Sequence, residues 1–559
     1  MKIVRNFLPL LAFVLFSINA YSQKISEILG RPTDKSITVN LLIDTTAEVY
    51  IEWGTMSNSY TQQTKIQVVN KGLPLDIELE NLIANTKYFY RTRYKPIGSS
   101  DFKNGIEHYF STQKPKGAAF DFVIQADPHM DENSDSLIYD LCMKNQYNDH
   151  PDFMIDLGDI FMSDKLPNIS YKSILDRVLY MRPFYDLSCH STPLFVALGN
   201  HEGEWGYSLN GTEDCITVWD TKLRKLYCPN PYPNQFYTGD ETDYPFQGVR
   251  ENYYSFEWGD ALFVILDPFY YTNVKQANNR WNQTLGLKQY NWFKTTLENS
   301  KAKFKFVFSH NLVGGAPSMR GGTEYASLFE WGGLNEDGTP GFAKNRPGWY
   351  KPIHDIMAEN NVTIFFHGHD HFYAKQDLDC VVYQLVPQPS FPVFTKNQAA
   401  EYGYIDGVFE SSAGHLRVNV SSDSVKVDYV RTFLPKDETN IRKNRMVTNS
   451  YVVKPCVISD NFNISKIQND AKNSPNPFHQ HTKINFSVTE KTLVNLNIYD
   501  INGKLIKCLL NKQEYPVGDY EIEWDAKDND GAQISSGMYL YSLEIQGKSL
   551  TKKMINLNY

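Results

Sequence analysis

Apolar and polar positions follow three different patterns along the chain. Residues 24–115 show short runs rich in β-branched and aromatic residues, at 36–43, 47–53, 82–90 and 108–112, with Asp44-Thr45-Thr46 as a turn. This pattern predicts a β-sandwich. After the linker-like Pro115-Lys116-Gly117 the pattern changes. Apolar runs at 120–125, 152–157, 193–198, 304–309 and 362–366 predict strands. Helical spacing at 134–147, 170–185, 287–299 and 350–360 predicts helices, and 253–258 with 261–266 predict a hairpin about Gly259-Asp260. Further β runs lie at 380–386 and 415–430. The alternation implies an α/β domain over 118–435, with two sheets flanked by helices. Residues 436–473 read as a polar linker with some strand content at 450–457. Residues 474–559 return to alternating strands with Asn-Gly and Asp-Gly turns, a second β-sandwich.

Two long insertions interrupt the central pattern, at 203–251 and 311–348. Loops of this length without obvious structure commonly serve a site. The total of 559 residues suits about three or four domains. A net charge of -9 gives no reason to expect nucleic acid as a partner. Residues 1–22 read as a signal peptide: Lys2 and Arg5 form the basic start, 7–18 the apolar stretch, and Ala20-Tyr21-Ser22 the small residues before a cut at Gln23. No later stretch is long and apolar enough to suggest a transmembrane segment in the mature chain. Seven cysteines are scattered, without a C-x-x-C. Cys215 and Cys228 are the closest pair and lie in a loop-like region, which makes them the candidates for one disulfide in an oxidising compartment, with the pairing itself left open by the sequence.

Candidate chemistry collects just after strands. Asp127 and His129 follow 120–125, and Gly158-Asp159 follows 152–157. Gly199-Asn200-His201-Glu202 follows 193–198, His310 follows 304–309, and His369 and His371 follow 362–366. In open α/β sheets, ligands bind beyond the carboxyl ends of strands. These groups are therefore expected to meet at one edge, with the insertions as its rim. Glycines at 158, 199 and 368 let the backbone turn there.

Asp127-x-His129, Gly158-Asp159, Gly199-Asn200-His201-Glu202, His310 and Gly368-His369-x-His371 resemble the calcineurin-like metallophosphoesterases, in order and each after a strand. The resemblance implies that Asp127, His129, Asp159 and His371 bind one metal ion. It implies that Asp159, Asn200, His310 and His369 bind a second, with Asp159 bridging. Oxygen and imidazole ligands suit Mn, Fe or Zn, without choosing among them. The implied reaction is attack on phosphorus by a hydroxide bridging the ions, with His201 protonating the leaving group or stabilising the transition state. Glu202 and Asp156 could orient neighbours, but read more readily as solvated or structural carboxylates. His367 reads as a wall residue, and His108, His150, His190, His354 and His415 as structural or solvated. Trp205, Tyr207, Arg320 and Tyr325, in the insertions, are candidates to touch substrate, with packed loop side chains as an equal alternative.

Residues 24–115, with Leu82-x-x-x-Thr86-x-Tyr88-x-Tyr90, resemble the fibronectin type III domain that precedes the catalytic domain of purple acid phosphatases. The metal motifs depart from that branch, which has D-x-G at 127–129 and a tyrosine where this chain has Met162. A colourless enzyme is therefore expected. Residues 474–559, through Ser474-Pro475-Asn476-Pro477-Phe478, Trp524-Asp525 and Ser536-Gly537-Met538-Tyr539, resemble the type A sorting domain of the type IX secretion system. That implies the secretion machinery as a partner and release or anchoring at the cell surface. The reading is a secreted dinuclear-metal phosphohydrolase acting on phosphate monoesters, with a phosphodiesterase as the alternative. A surface binding protein with a vestigial phosphatase domain is the alternative of another class.

Overall fold

A computed structural model describes residues 24–275, 279–455, 471–488, 491–501, 503–545 and 548–557. The expected signal peptide, at 1–22, lies outside the described residues. Backbone contacts divide the chain into two units, Met1–Cys456 and Val457–Tyr559.

The first unit begins with two antiparallel sheets. One pairs Ile25–Gly30, Ile37–Ile43 and Leu75–Leu79; the other centres on Ala47–Gly54 and Lys87–Pro96. Alternate positions of Ala47–Gly54 are buried, so Val49, Ile51 and Trp53 meet Val39, Leu41 and Tyr90 between the sheets. The sandwich packs on the rest of the unit through the helix Tyr171–Cys189. There Arg182, 3% exposed, donates to Ser26 Oγ at 2.8 Å, Asn40 Oδ1 at 2.7 Å and the Asn40 carbonyl at 2.7 Å.

The central region is a second, larger sandwich flanked by helices. Its six-stranded sheet has the order Leu194–Val196, Phe153–Asp156, Phe120–Gln125, Gly414–Val420, Val425–Arg431, Val447–Val453. The first three strands run parallel. The eight-stranded sheet places Ala261–Ile265, Phe304–Phe308, Ile364–His367 and Val381–Leu385 side by side and parallel. Phe122, Phe153, Phe263, Phe306 and Phe366 fill the space between the sheets; the Phe122 and Phe263 centroids are 5.2 Å apart, edge to face. Helices Ser136–Tyr147, Tyr171–Cys189 and Ile216–Tyr227 cover the outer face of the first sheet, and Gly286–Asn299 and Ile353–Glu359 that of the second. Because these parallel strands are buried on both faces, they read as unbroken apolar runs. Helix starts are set locally: Asp135 accepts from the N–H groups of Leu137 and Ile138, and Ser170 forms a capping box with Ser173.

Two expectations are corrected. Val447–Val453, inside the expected linker 436–473, is the sixth strand of the first sheet and pairs with Val425–Arg431. Its side chains alternate between exposed and half-buried, as suits an edge strand. Cys215 and Cys228 are free thiols at opposite ends of the helix Ile216–Tyr227. The twelve helical residues between them alone rise about 18 Å, far beyond the roughly 7 Å limit for a disulfide. The insertions are also structured, the first by this helix and the second by short turns such as Phe329–Gly332 and Phe342–Asn345.

The second unit is a smaller sandwich. Its three-stranded sheet comprises Lys472–Ser474, Thr482–Val488 and Gly518–Trp524. The four-stranded sheet has the order Leu505–Tyr515, Thr492–Asp500, Gly537–Ile545, Lys548–Asn556. Phe478, Ile484, Leu496, Trp524 and Leu543 form its core.

Candidate metal centre

The sequence-predicted ligands meet where parallel strands of both sheets end. Asp127, Asp159 and Asn200 follow Phe120–Gln125, Phe153–Asp156 and Leu194–Val196 of the six-stranded sheet. His310, His369 and His371 follow Phe304–Phe308 and Ile364–His367 of the eight-stranded sheet. Sharp turns bring the side chains inward: Asp127, His129, Asp159, His369 and His371 have φ of 58°, 49°, 57°, 76° and 66°. Non-glycine residues adopt this region rarely, and such conformations cluster at functional sites. Two of the turns also touch. Gly158 has φ 97°, and a Cβ there would lie 2.2 Å from the Gly199 nitrogen.

The side chains form two groups whose ligand atoms lie within 4.8 Å of one another: Asp127, His129 and His371, and Asp159, His310 and His369. Asp159 Oδ2 lies between them, 3.3 Å from His129 Nε2 and 3.4 Å from His310 Nε2. Asp127 Oδ1 is 3.6 Å from His371 Nε2. Asn200 Oδ1 is 3.0 Å from His310 Nε2, and His369 Nδ1 is 3.2 Å from the same atom.

Outer partners fix which ring nitrogen faces inward. His310 Nδ1 lies 2.8 Å from the Leu157 carbonyl, so that nitrogen carries the proton and Nε2 offers a lone pair. His369 Nε2 lies 2.7 Å from the Ser318 carbonyl, leaving Nδ1 free. His129 Nδ1 faces Asp131 Oδ2 at 3.3 Å, leaving Nε2 free. Partners of this kind orient metal-binding imidazoles.

The donor set fits cations. Asp127 Oδ1, His129 Nε2 and Asp159 Oδ2 are buried with no hydrogen-bond partner. A buried, unpaired carboxylate oxygen is costly, and a cation relieves it. The electrostatics agree. Against burial, the His310 and His201 charges hold Asp159 well below the usual carboxylate range. Against burial, Asp159 and Asp127 raise His310 to about 9. Burial and the neighbouring His310 keep His369 well below its ordinary value, and burial and His129 do the same for His371.

His201 stands beside the cage. Its N–H donates to Asp159 Oδ1 at 2.8 Å, its Nδ1 lies 2.8 Å from Asp164 Oδ1, and its Nε2 is 4.0 Å from Asp159 Oδ2. Asp164 was not singled out by sequence; it lies five residues past Asp159, and only the turn Ser163–Lys165 brings it to His201. Glu202 is wholly buried rather than solvated. Its carboxylate accepts from the N–H groups of Asp159, Ile160, Phe161 and Gly199, so it braces the loop that carries Asp159. Asp156 is likewise buried, accepting from Tyr185 and Gln125. His367 is buried with its ring stacked on Phe365, 5.3 Å between centroids.

The remaining candidates fall at the rim. Trp205 is packed: its Nε1 donates to the Asn200 carbonyl at 2.7 Å and its ring stacks on Tyr207. Arg320 lies against His369 and Asp370, and a Cβ at Gly403 would meet the Tyr325 hydroxyl. Away from the centre, His108 faces Glu27, His150 faces Tyr109, His354 faces Asp379, and His190 stacks on His108. Cys142, His415 and Asp149 line up in the order of a thiol nucleophile array, Sγ 3.9 Å from Nδ1 and Nε2 2.8 Å from Oδ2. Burial shuts the array off and pushes the thiol up to about 12, so it is structural.

Fold and centre together define a metallophosphoesterase domain. Residues 120–373 match the calcineurin-like phosphoesterase family, and residues 474–557 match the secretion system C-terminal sorting domain. The chain thus carries a calcineurin-like phosphoesterase domain followed by an export signal of the sorting-domain type. Among solved structures, PhoD is similar over 77% of this chain and 90% of that one, with 14% identity and a TM-score of 0.55. The purple acid phosphatase PPD1 from yellow lupin (Lupinus luteus) seeds is similar over 77% of this chain and 74% of that one, with 13% identity and a TM-score of 0.50. At such identities the likeness is one of fold. No curated protein matches the chain. No helix among the described residues is long and apolar enough to cross a membrane.

Proposed function

We propose that the protein is an exported dinuclear-metal phosphohydrolase that cleaves phosphate monoesters. Asp127, His129, Asp159 and His371 would hold one ion, and Asp159, Asn200, His310 and His369 the other, with Asp159 shared. The observation that carries this is the convergence of Asp127 Oδ1, His129 Nε2 and Asp159 Oδ2, buried and unpaired, on one space. When bound, a pair of Mn, Fe or Zn ions offsets charge on the phosphoryl group and makes water nucleophilic near neutral pH.

The chain's own groups do the rest. Leu157, Ser318 and Asp131 set the imidazole tautomers. Glu202 holds the Asp159 loop, and Asp164 orients His201. His201, with Nδ1 turned to Asp164, presents Nε2 to the centre, where it delivers a proton to the departing ester oxygen. The first sandwich, of fibronectin type III kind, supports one side of the catalytic region through Arg182. The signal peptide at 1–22 and the C-terminal unit direct export, with that unit then removed and the protein released or anchored at the cell surface.

The test is hydrolysis of 4-nitrophenyl phosphate by purified protein before and after metal stripping, alongside Asp159→Ala. Turnover that survives chelation or the substitution overturns the mechanism. A chain that takes up no metal even when supplied with Mn, Fe and Zn is instead a surface binding protein.

A further inference from the structure

The second insertion carries a cation to the edge of the centre. Arg320 lies between the short turns Pro317–Met319 and Thr323–Tyr325. Its Nη1 donates to the His369 carbonyl at 2.9 Å and to Asp370 Oδ1 at 3.1 Å. Its guanidinium carbon lies 4.1 Å from the centroid of the Tyr402 ring. Asp370 is itself fixed from two further sides, accepting from Gly321 N–H at 2.8 Å and Tyr404 O–H at 2.7 Å. Arg320 is therefore pinned to the segment that supplies His369 and His371. Its side chain remains 24% exposed, and its Nε and Nη2 have no partner among the described residues.

The chemistry of the substrate gives such a group a role. A phosphate monoester dianion has three terminal oxygens, whereas a diester has two and a single charge. If each ion of the centre takes one terminal oxygen, a monoester has one left over. We propose that Arg320 binds this third oxygen and thereby selects phosphomonoester dianions over diesters. The inference rests on the phosphomonoesterase reading above. A planar guanidinium held at one nitrogen still offers parallel N–H donors to a phosphoryl group. In a diester the third position is an ester oxygen carrying carbon. It accepts poorly and would leave those donors desolvated and unpaired.

The competing role is a brace for the His369–Asp370 segment, without substrate contact. Full-length, metal-loaded protein separates the two. The readouts are kcat/KM for 4-nitrophenyl phosphate and bis(4-nitrophenyl) phosphate, which share a leaving group, together with calorimetric binding of inorganic phosphate and metal content per chain. In Arg320→Met the metal content is expected to stay unchanged. Phosphate binding and monoester kcat/KM should each fall about 10- to 100-fold, the worth of a charge-assisted hydrogen bond, with diester turnover changed less than about threefold. Arg320→Lys should recover part of the monoester rate. Equal losses on both esters, or a fallen metal content, overturn the proposal in favour of the brace. Wild-type protein that binds phosphate through Arg320 yet hydrolyses neither ester overturns the enzymatic reading while leaving the anion site standing. Wild-type protein that neither binds phosphate nor turns over overturns both.

Discussion

Asp159 Oδ2 stands 3.4 Å from His310 Nε2, and no hydrogen bond satisfies that oxygen. Asp159 comes from the six-stranded sheet and His310 from the eight-stranded one. Asp159→Ala removes an oxygen that faces both ligand groups, at 3.3 Å from His129 Nε2 and 3.4 Å from His310 Nε2. Elemental analysis should show metal content falling from about two ions per chain to less than one, and kcat/KM should fall by about 10³ or more. Retention of both ions in the variant would refute the shared-ligand role.

In the proposed mechanism His201 acts on the leaving group rather than on the ions. His201→Ala should keep its metal while kcat falls by about 10²–10⁴. The loss should be larger for an alkyl phosphate than for 4-nitrophenyl phosphate, whose leaving oxygen needs little help from a proton. Asp164→Asn, which keeps shape but loses the carboxylate charge facing His201 Nδ1, should give a smaller fall of the same leaving-group dependence. A loss independent of the leaving group would assign His201 a purely structural place.

Glu202 is a sharper structural test than a ligand. Both its oxygens accept backbone N–H groups, Oε2 from Asp159 at 2.9 Å and Oε1 from Phe161 at 3.2 Å. Glu202→Gln must turn an NH2 group toward one of these donors. The cost should be about 1–3 kcal/mol in denaturant unfolding, with weakened metal affinity. An unchanged unfolding midpoint would show that the loop is held by other means.

Acid should loosen the joint between the first sandwich and the catalytic region. Burial, and then the nearby His108 ring, lower His190 to about 3. The unfolded-state value is about 6.5, so the folded state disfavours the proton. This contribution is present above about pH 6.5 and is lost as pH falls from there towards 3. The Tm of wild-type protein should therefore decline between pH 7.5 and 4.5 more steeply than that of His190→Phe. Parallel curves would exclude the effect.

The central fold and the cage were legible because each ligand falls within a few residues of an apolar strand. Asp127, Asp159, Asn200, His310 and His369 can all be placed by counting from such runs. Their outer partners could not be placed so. Leu157 and Ser318 act through backbone carbonyls, which any residue would supply. Asp164 and Arg320 depend on how a turn and an insertion fold back across the site. The Cys215–Cys228 expectation failed because the polar Thr217, Asp220 and Arg224 masked a helix. These residues are buried by internal bonds, as between Arg224 and Glu204 at 2.6 Å. The strand expected at 450–457 lies at Val447–Val453, and its place in the central sheet was missed because an edge strand has little apolar signal to offer.

The division of ligands between the two sheets has a mechanical consequence. The phenylalanines join the layers along their length, while at the strand ends Asp127 and Asp159 of one sheet face His371 and His310 of the other across the candidate metal space. Ions there would act as rivets through the open lip of the sandwich. Without them, this lip is where the protein should first part, with the aromatic interior still closed behind it.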